Sequence, residues 1–537
     1  MRRPTRWSLI ALATVPFVAG GFLLESRETR ESARVFDQVL QLVAGRFVDT
    51  VQVDQLYERA ARGLVKELKD PYTELLPPKE YASFSRTTGG RYGGIGMLIE
   101  DQNGRIIISR VFPNTPAEAA GVLAGDRVIQ IDTSTTNGWK LEQVSNALLG
   151  TPGTKVTVKF ARPGVPEPIE SRLTRAIIRI PAVMHAMRLD GDIGYITLQQ
   201  FNETAAEEVT DAIRTLQRAG AKSFILDLRD NPGGILPEAL DVSSLFLRQG
   251  QSIASIRGRA EFESFDAQGP SVLPTAPLVV LTDGYSASAS EIVAGALQDH
   301  DRALIVGTTT FGKGVVQTIF PLDGGWYLKM TTAKWFTASG RSIQKERKVN
   351  ADGRLVELPL DSLETDSARK ARPVFRSDAG RIIYGGGAIT PDVIVRDDTL
   401  TKVEQDFARA IAPKSQRAYV LLHEYAIELK SQVKRSDYQF QRAWHDELYQ
   451  RFDTAGVFTV NGVRKVDRAA YDAAARYINR ELDQRIARLA FGDTAAKRRD
   501  MVLDRPLQQA ITILKKGTTQ KDLFVVAAKG TVKPEGQ

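Results

Sequence analysis

The 537-residue chain has no cysteine and only four histidines, His185, His300, His423 and His445. Without cysteine there are no disulfides, no thiolate metal sites and no cysteine nucleophile. No histidine pair stands at helical i,i+4 spacing and no HExxH occurs, so neither a metal site nor a cofactor is expected. A catalytic base then falls to a lysine or a carboxylate. Repeats of fixed period and low-complexity tracts are absent too.

What is present is an ordinary globular composition, 42% hydrophobic and 25% charged. The length suggests about three or four domains. The formal charge of +8 is unevenly placed: Thr401 to Gln537 holds 25 Lys+Arg against 17 Asp+Glu, while the first 400 residues balance at 47 each. Such a surplus suits nucleic acid, anionic lipid or another acidic polymer, or merely a solvated arginine-rich helical face.

Residues 1–24 read as a signal peptide or membrane anchor. Arg2, Arg3 and Arg6 precede an uncharged run from Trp7 to Leu24. The charges stay on the cytoplasmic side while the apolar run enters the membrane. The remainder is then expected outside the cytoplasm, in the cell envelope or periplasm, anchored or secreted, where lack of cysteine avoids unwanted oxidation.

Four further regions follow. Residues 25–88 form an N-terminal helical region with two apolar stripes: Val35, Phe36, Val39, Leu40 and Val43, then Val53, Leu56, Ala60, Leu64 and Leu68. Asp70-Pro71 stops the second helix. Residues 89–173 carry short β-rich runs broken by Gly and Pro, with helical stretches near Pro116–Ala120 and Leu141–Leu149, a small α+β module. Across 174–398 strands alternate with helices, including Ile193–Leu198, Phe224–Leu228, Leu278–Thr282 and Leu304–Val306. Thr204 with Glu207 reads as a capping box opening a helix. This is α/β organisation, with sites expected in loops at strand ends. Residues 399–537 are basic and helical, with Tyr471, Ala475, Ile478, Leu482, Ile486 and Leu489 on one face and no motif of readable role.

Three loops of the α/β region can carry chemistry. Asp227-Leu228-Arg229-Asp230-Asn231-Pro232-Gly233-Gly234 follows a buried strand. Its glycines allow a tight turn whose amide N–H groups can hold an oxyanion, although Asn-Pro-Gly is also an ordinary turn. Asp283 to Glu291 places Ser286, Ser288 and Ser290 between a strand and a helix. A serine at such a turn is exposed beside an oxyanion donor. Ser288 with Glu291 also spells a capping box, and periodicity does not choose among the serines. Gly307 to Gly314 nearly spells a phosphate-binding loop. Gly314 stands where the magnesium-binding hydroxyl belongs, and Val315 to Phe320 reads as strand rather than helix, so nucleotide binding is not expected. Lys313 can serve as a base only when neutral. At the ordinary lysine pKa near 10.4, about one molecule in 2,500 is neutral at pH 7, and burial beside apolar groups lowers that pKa. A Ser–Lys dyad suits a chain with so few histidines.

At these residues the sequence resembles the carboxyl-terminal processing, or tail-specific, serine proteases. The resemblance runs from Glu31 to Asp397 through Asp70-Pro71-Tyr72-Thr73, Glu80-Tyr81, Gly93-Gly94-Ile95-Gly96 and Ala120-Gly121-Val122-Leu123-Ala124-Gly125-Asp126. The three loops and Gly387-Ala388-Ile389-Thr390-Pro391-Asp392 complete it in the family's order. It implies a multidomain α/β fold: a Clp protease/crotonase-like core with an inserted α+β PDZ domain, between N- and C-terminal helical regions. It also implies Ser288 as nucleophile, Lys313 as general base and Gln317 as the residue orienting the lysine. The oxyanion hole would combine the Ala289 amide with Gly233 or Gly234, Gly234 being favoured. Tyr92, Gly93, Gly94, Ile95 and Gly96 would bind a substrate's terminal carboxylate, with the next strand pairing to the substrate backbone. Two departures are Asp283, where the family usually has Asn, and Gly307-Thr308, where Gly-Glu is frequent. A flat strand would separate Lys313 from Gln317 by about 13 Å, so a bend at Gly314 is expected.

The expected function is a serine endopeptidase acting on exported proteins near an unstructured free C-terminus. Expected partners are polypeptides with accessible C-termini, an adaptor or anionic envelope polymer at the basic tail, and the membrane through the N-terminal segment. An oligomer is compatible with this reading; a nucleic-acid partner is not expected. The rivals are an inactive PDZ scaffold, which the intact Ser288, Lys313 and Gln317 argue against, and a binding protein for small apolar ligands.

Overall fold

The structure, a computed structural model, describes residues 31–101, 104–162, 165–259, 262–345, 347–349, 355–357 and 371–530. The Trp7–Leu24 run lies outside the described residues. Among the described residues no helix is long and apolar enough to cross a membrane. The chain divides into two compact units, the smaller made of Met1–Tyr81, Gln317–Thr331 and Val349–Leu355.

In the smaller unit the expected helices form over 31–46 and Val53–Glu67. The second has no buried residue: Val53, Leu64 and Leu68 of its apolar stripe stay exposed. It ends earlier than Asp70-Pro71 demands, because Lys69 adopts φ +52° just past the Leu68 cap. Strand Glu74–Leu76 then pairs antiparallel with Tyr327–Lys329, closed by a Lys329–Glu74 ion pair and by Tyr81 stacked on Tyr327.

The larger unit begins with β1 (Arg91–Gly94), β2 (Met97–Asp101), β3 (Ile106–Val111), β4 (Arg127–Ile131), α1 (Leu141–Leu148), β5 (Lys155–Ala161), β6 (Ile169–Thr174) and β7 (Ala176–Arg179). Strands β2 to β6 form one antiparallel sheet in sequence order, with β2 at its end. Alternate residues such as Val156, Val158 and Phe160 face a core shared with Ile95, Val144 and Leu148, as period-two patterning requires. Strands β1 and β7 pair with each other beside it.

The central sheet runs β8 (Val183–Leu189), β9 (Ile193–Leu198), β10 (Ser223–Asp227), β11 (Leu278–Thr282), β12 (Leu304–Gly307), β13 (Val393–Ile394). Only the β8–β9 pairing is antiparallel. Every residue of β9 to β12 is buried, the mark of a parallel sheet covered on both faces. Ile196, Leu198, Phe224, Leu226, Val280 and Ile305 face α2 (Ala205–Arg218), α3 (Leu236–Ser244) and α4 (Ala289–Asp299). The alternate set, Ile193, Tyr195, Ile225, Val279, Leu281, Leu304 and Val306, faces the other way. The capping box expected at Thr204 does not form. The Thr204 hydroxyl donates to Glu208 (2.7 Å) and Asn202 (3.0 Å) instead, and Asn202 Oδ1 also takes the Thr204 N–H (3.2 Å), a local side-chain arrangement that competes with the cap.

The basic tail divides in two. Helices α5 (Lys402–Ile411), α6 (Ser415–Leu429), α7 (Arg442–Thr454) and α8 (Ala475–Phe491) enclose an aromatic-rich core around Tyr471, Phe452, Phe458 and Trp444. Tyr471 sits on a separate short helix, Arg468–Ala473, so the expected stripe is broken after it. Several arginines of the tail are paired with its own acids, as in Arg476–Glu404, Arg480–Asp500, Arg485–Glu481 and Arg499–Asp483, so the surplus of eight is carried by the others. The last helices, α9 (Arg505–Lys516) and α10 (Gln520–Gly530), cover the second face of the central sheet with Leu507, Ala510, Ile513, Leu514, Leu523 and Ala527.

Candidate active site

Three loops meet at the C-terminal ends of β10, β11 and β12. Strand β11 ends at Thr282, and the turn that follows delivers Ser288 to the start of α4 with φ +54° and ψ −110°. For a residue with a Cβ this conformation costs of order 1–3 kcal/mol and persists only where its neighbours impose it. Here they do. The Ser288 N–H donates to Glu291 Oε2 (2.8 Å), Ala287 N–H to the Asn231 carbonyl (3.0 Å), and Phe311 N–H to the Ser286 carbonyl (2.9 Å).

The backbone separates the three serines. The buried Ser286 hydroxyl donates to the Leu228 carbonyl (2.7 Å), and the buried Ser290 hydroxyl to the Asn231 carbonyl (2.9 Å). Both pin the Asp227–Gly234 loop to this turn. Ser288 alone of the three is partly exposed. The Glu291 half of the expected capping box is present, but its carboxylate does more than cap a helix. Fully buried, it accepts from Ser288 and Lys313 N–H on Oε2, and from Gly312 N–H (2.7 Å) and the Thr310 hydroxyl (2.5 Å) on Oε1. Sharing Oε2 at 2.8 and 2.9 Å puts the Ser288 and Lys313 backbone nitrogens within about 6 Å of each other. Burial nevertheless pushes the Glu291 carboxyl above the ordinary glutamate range, outweighing those hydrogen bonds.

Lys313 lies in an irregular segment, since the following strand, Val315–Pro321, begins only after Gly314. The break in the extended run expected at Gly314 is therefore present. The Lys313 carbonyl accepts from Trp335 Nε1 (3.1 Å), and Gly314 N–H donates to Gln344 Oε1 (2.8 Å). Thr310 also takes the Ile389 N–H on its hydroxyl (2.7 Å) and gives its own N–H to the Ile389 carbonyl, which explains the Gly387–Asp392 motif as a brace for the lysine loop. Gln317 belongs to the smaller compact unit; its Nε2 is buried with no hydrogen-bond partner among the described residues.

The glycines divide their labour. The Gly233 N–H donates to Asn231 Oδ1 (2.9 Å), so that donor is occupied. A Cβ on Gly233, at φ +100°, would lie 2.7 Å from the Ala287 carbonyl oxygen and 2.9 Å from the Ala289 nitrogen. Gly234 forms a parallel bridge with Phe201 that uses the Gly233 carbonyl and the Ile235 N–H, leaving Gly234's own N–H outside the bridge. Ala289 opens α4, whose first-turn N–H groups and dipole favour negative charge. Asp283 collects the N–H groups of Asp230, Tyr285 and Ser286, and burial followed by repulsion from Asp230 raises its pKa.

In the antiparallel module, Tyr92 to Gly94 are taken up by the ladder with Ala176–Ile178, and burial pushes the Tyr92 phenol up to about 12. Ile95 and Gly96 form the link into β2, their carbonyls accepting from Ala117 and Phe112 N–H. Among the described residues one edge of β2 has no strand partner in its sheet, and α1 packs against this strand. A cavity of about 480 Å³ lies elsewhere, between this module and helices α6 and α8, beside His423 and Arg485. Burial, then Arg485, lowers the His423 imidazole beside it to about 4.

Three family models match the chain: peptidase family S41 over residues 192–354, the PDZ domain over 107–162, and the activating protease CtpB N-terminal domain over 24–77. A carboxy-terminal-processing protease of Bartonella bacilliformis is 38% identical over 61% of this chain and 79% of its own length. The carboxy-terminal processing protease CtpA of Bacillus subtilis is 33% identical over 63% of this chain and 73% of its own. Among solved structures, a photosystem II D1 C-terminal processing protease is 31% identical over 56% of this chain and 82% of that one, with a TM-score of 0.34.

Proposed function

Because the chain belongs to the carboxy-terminal-processing proteases of peptidase family S41, a serine-type peptidase with a PDZ domain, we propose that it cleaves exported polypeptides near a free, unstructured C-terminus through an acyl-enzyme on Ser288. One observation carries the reading: a single buried carboxylate, Glu291, fixes the backbones of both the strained Ser288 and Lys313. Neutral Lys313 takes the Ser288 proton as Oγ attacks the peptide carbonyl. The N–H groups of Ala289 and Gly234 receive the oxyanion, Gly233's being occupied by Asn231. Lys313 then returns the proton to the leaving amine, and water hydrolyses the ester by the reverse sequence. Gln317 keeps the orienting role on the strength of the resemblance.

The link Ile95-Gly96 and the open edge of β2 suit capture of a C-terminal tail, the carboxylate on backbone N–H groups and the extended tail as an added strand. Export rests on the Trp7–Leu24 run.

The test offers the purified full chain one unfolded substrate ending in small apolar residues, as free acid and as amide, with chelator present. The free acid is expected to be cleaved about tenfold more efficiently, the worth of one charge-assisted hydrogen bond, and Ser288→Ala is expected to be inert. Equal cleavage of acid and amide would remove tail selection but keep the peptidase. Cleavage by Ser288→Ala would remove the serine assignment, and binding of the free acid without cleavage would favour the inactive scaffold.

A further inference from the structure

The loop that carries Gly233 and Gly234 is held from two sides. On the inner side Ser286, Ala287 and Ser290 bind its backbone. On the outer side stands Arg229, whose side chain is 11% exposed. Its guanidinium grips two carboxylates at once. Nε and Nη2 donate to Asp227 (2.9 and 2.7 Å), and Nη1 and Nη2 donate to Asp504 (2.8 and 2.7 Å). The Tyr195 hydroxyl donates to Asp227 from below (2.7 Å), and Asp397 approaches at 3.5 Å.

Asp504 is 275 residues away in sequence and also caps α9, its carboxylate accepting the Leu507 N–H (3.0 Å). Helices α9 and α10 lie beyond the residues matched by the peptidase model, 192–354, yet their apolar side chains complete the core of the central sheet. Capping α9 alone would be served as well by an uncharged Asn or Ser. A two-fork guanidinium contact fixes distance and angle together.

We propose that Asp504 is a positioning residue for the peptidase site: by gripping Arg229 it sets the Asp227–Gly234 loop against Ser288, so the oxyanion donors are in place only when α9 and α10 are docked. This rests on the reading of Ser288 and Gly234 given above. Asp504 touches neither substrate nor reacting atoms and acts through Arg229. A loop displaced by a fraction of an ångström keeps substrate binding and loses transition-state stabilisation.

The test is Asp504→Asn in the full chain. Asparagine caps a helix about as well as aspartate but cannot offer two acceptors to Arg229. The expected result is a kcat about tenfold lower with KM unchanged within about twofold. The rate of Ser288 labelling by a fluorophosphonate, which also needs the oxyanion donors, should fall in parallel, and Asp504→Glu should restore most of both. Arg229→Lys, which keeps the buried charge but loses the second fork, should show the same split and serves if Asp504→Asn does not fold. Wild-type kcat and labelling rate in either folded variant would overturn the proposal, as would a loss confined to thermal stability. The underlying reading fails separately, if Ser288→Ala still cleaves or the probe labels another residue.

Discussion

Lys313→Met is expected to lower kcat by roughly 10⁴-fold while leaving the fold and substrate binding intact, because it removes the proposed base and keeps the length of the side chain. Two bonds that seat this residue are made by its backbone: its N–H to Glu291 and its carbonyl to Trp335 Nε1. They survive the substitution. The pH profile provides the second readout. The active form of a lysine base is the neutral one, so wild-type kcat/KM should rise with pH at unit slope to a plateau, and the residual rate of the methionine variant should lack that limb. A variant retaining a tenth of wild-type kcat would show that some other group removes the serine proton.

Glu291→Gln is expected to lower kcat about 100-fold and to destabilise the chain by about 1–3 kcal/mol. The carboxylate satisfies four donors, three of them backbone N–H groups. A carboxamide offers one acceptor oxygen and turns two hydrogens toward the other pair. The Thr310 hydroxyl can rotate to accept; the Gly312 N–H cannot. Glutamine therefore settles with its oxygen toward Ser288 and Lys313 and leaves Gly312 unpaired in a buried site. The pH dependence has a definite sign. Burial raises the folded-state pKa of Glu291, so its protonation favours the folded chain. That contribution is present below the ordinary glutamate range and is lost as pH rises through the raised value. The Tm gap between wild type and Glu291→Gln should thus be wider in mild acid than at neutral pH. A gap that widens toward neutral pH would mean that the hydrogen bonds dominate burial.

Much of this architecture was legible in the residues because the core strands are short apolar runs bounded by glycine, proline or aspartate. Ile193–Leu198 and Leu278–Thr282 lie where periodicity put them. The three loops were legible as loops for the same reason. The choice among Ser286, Ser288 and Ser290 was not, because it depends on which hydroxyls are taken up by the Leu228 and Asn231 carbonyls, far off in sequence. Glu291 announced itself as a helix cap, a local signal that concealed its bonds to residues 310–313. Thr204 misled in the opposite direction, since a spacing rule knows nothing of Asn202. The tail was the least readable part. Amphipathic periodicity says that one face of α9 is buried but not against what, and no pattern links Arg229 to Asp504.

The order in which the chain is made gives the α9–α10 cover a meaning in time. The sheet face around Ile225, Val279 and Val306 is synthesised roughly 200 residues before the helices that seal it, on the order of 10–40 s at ordinary elongation rates. The segment that will grip Arg229 is made only after that interval, and until it docks it is an unstructured stretch of the kind this peptidase is proposed to attack. If α9 and α10 complete the site as proposed, maturation and self-protection become a single event: the nascent enzyme gains its catalytic geometry as this segment ceases to be unstructured.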